Sequence, residues 1–122
     1  MKAVQNTTTP NGPVSGTIYG VPSSQQALAL AHYGGSAVSS WLLTGNATFE
    51  KGQEFFYSLE QPGPDPDRQD APHEHEAILD PTGKFLLVPD LGADLVRVFS
   101  WEKRSLKLKE QKSLEAEAGE LM

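Results

Sequence analysis

The chain has 122 residues with 16 acidic against 10 basic side chains, a net charge of −6 and a pI near 4.9. That balance argues against a nucleic-acid role, which rests on clustered Lys and Arg. The absence of cysteine excludes disulfides, thiolate metal sites and a cysteine nucleophile, and 38% hydrophobic with 21% charged residues argues against wholesale disorder.

The opening residues, Met1 to Pro10, hold no apolar core of signal-peptide length. The longest apolar runs, residues 27–31 and 85–88, are too short to span a bilayer. The expectation is a soluble, cytoplasmic chain with no membrane partner. Strand signals dominate the rest of the chain. Residues 26–33 are apolar and end at Gly34-Gly35; residues 37–43 come next and end at Thr44-Gly45-Asn46, which reads as a hairpin. Residues 61–72 are rich in Pro and Asp and cannot hold a central strand, so they form a connection. Residues 77–79 run into the turn sequence Asp80-Pro81-Thr82-Gly83. Residues 85–88 and 95–101 flank 89–94 as a second hairpin, and 106–109 alternate as a half-exposed strand does. The end of an outer strand is the preferred reading of 113–121, ahead of a short helix.

The two hairpins are copies. Residues 30–41 align without a gap on residues 88–99, 58 positions later, so that Gly34 meets Gly92, Val38 meets Val96 and Trp41 meets Phe99. A repeat of this length with some four strands per unit points to propeller blades. Residues 95–101 are apolar on both strand faces, which demands a sheet covered on both sides. The predicted fold is all-β: about two four-stranded antiparallel blades, 12–60 and 72–118, joined by the loop 61–72. Two such blades alone leave apolar faces in water, so the isolated chain is expected to self-associate.

The string from Pro72-His73-Glu74-His75 through Asp80-Pro81-Thr82-Gly83 to Pro89-Asp90-Leu91-Gly92-Ala93-Asp94 resembles the lactonase family of seven-bladed propellers. That family includes bacterial-type 6-phosphogluconolactonases and fungal carboxy-cis,cis-muconate cyclases, and the string is most similar to fungal members of the second group. Residues 11–16 and 28–39 resemble the preceding blade. The resemblance implies a cofactor-independent enzyme acting on a small anionic substrate, a lactone or carboxymuconate. It also implies a parent roughly three times as long, since a propeller ring needs its full set of blades. The expectation is an incomplete ring, from a truncated gene model or an excised piece, with little activity alone.

His73 and His75 are the candidate catalytic residues. Strand alternation puts both imidazoles on one face and Glu74 and Glu76 on the other. An imidazole beside the central channel suits acid–base work near neutral pH, and the resemblance favours His75. The alternatives are two inner-strand polar groups bonded to loops, or a zinc pair lacking a third ligand. Arg68 and Glu76 are the candidate substrate contacts. Arg68 lies with Gln69 in the connecting loop near the channel mouth, and Glu76 lies beside the histidines; the simpler reading of Glu74 and Glu76 is a solvated strand face. Asp90, Asp94 and Arg97 read as an acid–Arg brace of the second hairpin, and His32, which aligns with Asp90, reads as structural. No Walker or dinucleotide glycine pattern is present, and Ser39-Ser40 lacks His and Asp at triad spacing. No cofactor and no metal are expected.

Overall fold

Eight strands form in chain order, and the two repeats fold alike. In the computed structural model, which describes residues 7–45 and 48–115, β1 is Pro13–Gly20, β2 Gln26–His32, β3 Ala37–Leu43 and β4 Phe49–Phe56. The second set is β5 Ile78–Leu79, β6 Leu86–Asp90, β7 Leu95–Trp101 and β8 Leu108–Glu115. Each set is one antiparallel sheet in sequential order, β1-β2-β3-β4 and β5-β6-β7-β8. These meanders are two blades. The last residues of the second predicted unit, 116–118, and most of the chain-end segment lie outside the described residues, as do residues 1–6 of the start and Asn46 of the first turn sequence. No helix among the described residues is long and apolar enough to cross a membrane.

The repeat survives in backbone detail. His32 pairs with Ala37 and Asp90 with Leu95, so each central hairpin closes on a four-residue loop. Each loop ends on a left-handed residue, Ser36 at φ 52° and Asp94 at φ 53°, 58 positions apart. Asp tolerates that region through local hydrogen bonding, which suits it to such a turn. Gly92 is required for a different reason. A Cβ there would collide with the Ala71 carbonyl oxygen, so the connecting segment crosses this turn only where no side chain exists.

The core lies between the blades. Blade 1 contributes a flat strip of small residues, Ala27, Ala29 and Ala31, and blade 2 fits larger ones against it, Leu86, Val88 and Phe99, all almost fully buried. Large against small is what lets two twisted sheets interdigitate at native density. Polar bonds stitch the same joint. The Tyr19 hydroxyl donates to the Leu106 carbonyl at 2.7 Å. The Gln53 amide clamps Leu108, accepting from its N–H at 2.7 Å and donating to its carbonyl at 3.1 Å. At the inner strands the Ala77 N–H donates to Ser15 Oγ at 3.1 Å.

Among the described residues no second sheet covers the outward faces. Ile18, Phe56, Ile78 and Leu114 are exposed, with Phe56 at 63% and Leu114 at 59%. Leu28 and Leu30 stand on the outward face of blade 1 where their repeat partners Leu86 and Val88 are sealed in the joint. The expected two-sided apolar sheets are present, and one side of each is open.

Candidate active site at the joint between two blades

The segment 73–77 enters blade 2 where its innermost strand should begin, and it is not a regular strand. A single bridge, Glu74 to Asp90, precedes the short β5. Glu74 thereby takes the place that Pro13 holds opposite His32 in blade 1, and the ladder there slips between Pro13 and Ser15. Irregularities of this kind re-aim side chains at the rims of sheets. The antiparallel bridge at Glu74 is flanked by the bonds from His75 N–H to the Pro89 carbonyl and from Leu91 N–H to the His73 carbonyl. The two imidazoles nevertheless have different surroundings.

His73 is buried in the joint. Its Nδ1 meets the Tyr33 carbonyl at 2.9 Å, its Nε2 meets Asp70 Oδ1 at 2.8 Å, and its ring stacks on Tyr33 with centroids 4.2 Å apart. Its backbone N–H donates to Asp90 Oδ1 at 2.8 Å. Burial opposes the imidazolium charge, but the Tyr33 carbonyl and the Asp70 carboxylate outweigh it and raise the His73 pKa. Asp70, on the surface, is held below its ordinary value chiefly by the hydrogen bond from His73.

His75 is partly exposed. Its N–H reaches the Pro89 carbonyl at 3.2 Å, and its ring Nδ1 has no hydrogen-bond partner. Glu76 is exposed. Arg68 is exposed in the connecting loop, whose backbone turns on Asp65. Its neighbour Gln69 is fully buried, with its side-chain amide donating to the Leu91 carbonyl at 3.0 Å and accepting from the Asp65 N–H at 2.9 Å. Gln69 therefore pins the loop to the second hairpin and is not available to an anion. The four residues named from sequence do not converge on one pocket.

Glu74 overturns the solvated-face reading. It is fully buried, with Oε1 3.3 Å from the Arg97 guanidinium. The same guanidinium reaches Asp90 Oδ2 at 2.8 Å, which is the expected acid–Arg brace. The Tyr57 ring covers Arg97 at 3.5 Å and its hydroxyl donates to Glu110 at 3.0 Å, so the cluster is roofed by blade 1. Burial, and after it the Asp90 charge, push the Glu74 pKa up to about 8. One guanidinium thus faces two buried carboxyls, an arrangement that favours the protonated form of Glu74. In blade 1 the same two positions hold His32 and Ser39, Nε2 to Oγ 2.7 Å, a neutral version of the brace. Among the described residues no three His, Asp or Glu side chains group as a metal cage.

Residues 2–120 match the family described as lactonase, 7-bladed beta-propeller. A protein of Arthroderma benhamiae named "probable 6-phosphogluconolactonase" is 41% identical over 87 residues, which is 71% of this chain and 21% of that protein. A Lactobacillus plantarum crystal structure superposes with a TM-score of 0.72 at 27% identity, over 88% of this chain and 29% of that one. A "putative 6-phosphogluconolactonase" of Bacteroides uniformis shares the fold, with a TM-score of 0.69 at 24% identity over 83% and 29% of the two chains. The chain spans between a fifth and a third of the length of these relatives. With a blade repeat, a two-sided apolar core and a match along nearly its whole length, the chain belongs to the lactonase family of seven-bladed β-propellers, of which it forms two adjacent blades.

Proposed function

We propose that these two blades form one wall of a cofactor-independent propeller enzyme that opens a lactone or cyclises a carboxymuconate-like anion, with His75 as its acid–base group. The observation that carries this is the contrast between the two histidines. Both ring nitrogens of His73 are engaged inside the joint, while the His75 side chain is partly exposed, with its Nδ1 buried and unpaired, at the start of the innermost strand, the strand that borders the channel of a closed ring. In lactone opening His75 activates water; in cyclisation it moves the proton that accompanies carboxylate addition. Arg68 and Glu76, both exposed, are the proposed substrate contacts. Few cations are placed to receive an anion here, so the remaining arginines belong to other blades.

The test has two arms. The purified chain is expected to turn over 6-phosphogluconolactone and 3-carboxymuconate weakly or not at all; clear turnover abolished by His75→Ala would disprove the incompleteness of the site. In a chimera where these blades replace their counterparts in the Arthroderma relative, His75→Ala is expected to lower kcat by at least about 100-fold. An unchanged kcat there removes His75 from the chemistry.

A second reading, a non-catalytic propeller segment that assembles with other chains, is favoured by the open apolar faces. Light scattering after size-exclusion chromatography is expected to show concentration-dependent association. A monomer that binds no apolar dye would contradict it.

A further inference from the structure

We infer that the joint between the two blades is a pH-sensitive latch, closed by a charged His73 and a neutral Glu74 and loosened when either gives up its proton. Hydrogen-bond partners impose the first of these states and charge balance the second. His73 Nδ1 faces a backbone carbonyl and Nε2 faces a carboxylate, and neither oxygen has a hydrogen to give. A neutral imidazole can donate to only one of them and must turn a lone pair toward the other. Only the imidazolium satisfies both. Its stacking on Tyr33 adds an attractive contact for the cation.

The adjacent residue makes the complementary demand. Asp90 accepts at Oδ1 from the N–H groups of His73 and Ala93 and at Oδ2 from Arg97, so both of its oxygens are already used as acceptors. One guanidinium then balances one carboxylate. Ionised Glu74 would add a second buried negative charge, with Glu110 also on the far side of Arg97 at 3.9 Å and Tyr57 closing the roof. The groups facing the latch are thus Asp70, Tyr33 and Asp90 around His73, and Asp90, Arg97, Tyr57 and Glu110 around Glu74.

Both titrations act in the same direction. His73 has its pKa raised on folding, so its contribution is complete below the ordinary value of 6.5 and is lost as pH climbs through the folded value. Glu74, raised from 4.5 to about 8, holds a proton in the folded chain that the unfolded chain has already released, so stability falls across that interval too. The latch therefore opens on the alkaline side, and what it releases is the segment that carries His75.

The wild-type chain provides the decisive test. Nitrogen NMR of the imidazoles should find both ring nitrogens of His73 protonated on the acid side of its titration, with a midpoint above that of the same residue in urea. A His73 midpoint at or below the urea value overturns the latch. In parallel, Tm should fall by roughly 5 °C or more between pH 6 and 9, and His73→Gln with Glu74→Gln should flatten that profile. A wild-type Tm independent of pH over this range also overturns it. Asp70→Asn, whose amide can give a hydrogen to neutral imidazole, should lower the His73 midpoint without unfolding the chain; an unmoved midpoint removes Asp70 from the latch.

Discussion

Arg97→Met is expected to destabilise the chain by about 3–5 kcal/mol, because it leaves Asp90 and Glu74 in the joint without their cation. Methionine keeps most of the side-chain length, so the loss reads charge rather than a cavity. The same charges set the shape of the recovery. Adding Glu74→Gln to Arg97→Met should restore less at pH 6 than at pH 9, because without Arg97, which lowers its pKa, the buried Glu74 must hold a proton that the unfolded chain gives up ever more readily as pH rises. Urea unfolding of the single and double variants at both pH values measures this coupling. A loss under about 1 kcal/mol for Arg97→Met would place the cluster in the class of exposed ion pairs. That outcome would contradict the complete burial of both carboxyls.

Much of the fold was legible because it rests on local signals used twice. The boundaries of β3 and β7 could be read from apolar runs that end at glycine or polar turns, and the gapless alignment of the two hairpins located Ser36 and Asp94 in equivalent turns. The edges β1 and β4 were not separately legible. Gly16 and Gly20 interrupt the first, and Glu50, Lys51, Gly52 and Glu54 in the second remove any apolar period. The site was less legible because its logic is long-range. Glu74 reads as a surface carboxylate until Arg97, 23 residues on, is seen to bury it. Arg97 on the joint-facing side of β7 was the available signal: a cation among Leu95, Phe99 and Trp101 requires buried anions, and Asp90 and Asp94 were credited with that part while Glu74 was not. His73 and Gln69 are equally opaque, since the groups that hold them, Tyr33 and Leu91, lie 40 and 22 residues away.

The repeat also allows the incompleteness of the ring to be measured on two leucines. Leu86→Ala, in the sealed joint and fully buried, is expected to cost about 2–5 kcal/mol through lost burial and the cavity left beside Phe99 and Val88. Leu28→Ala removes the same atoms from the equivalent position of blade 1, but there the side chain lines an apolar hollow with Thr7, Thr9, Leu30, Trp41 and Phe49, and among the described residues no sheet lies over it. Its expected cost is about 1 kcal/mol, the transfer term of a side chain that is only partly buried. Denaturant midpoints of the two variants give the comparison directly. Where a preceding blade is seated on that face, as in a chimera with the longer relative, the Leu28→Ala cost should rise toward that of Leu86→Ala, since the same contacts would then surround it. Equal costs in the isolated chain would mean that this face is already covered, and blade 1 would then have no physical need of a preceding neighbour.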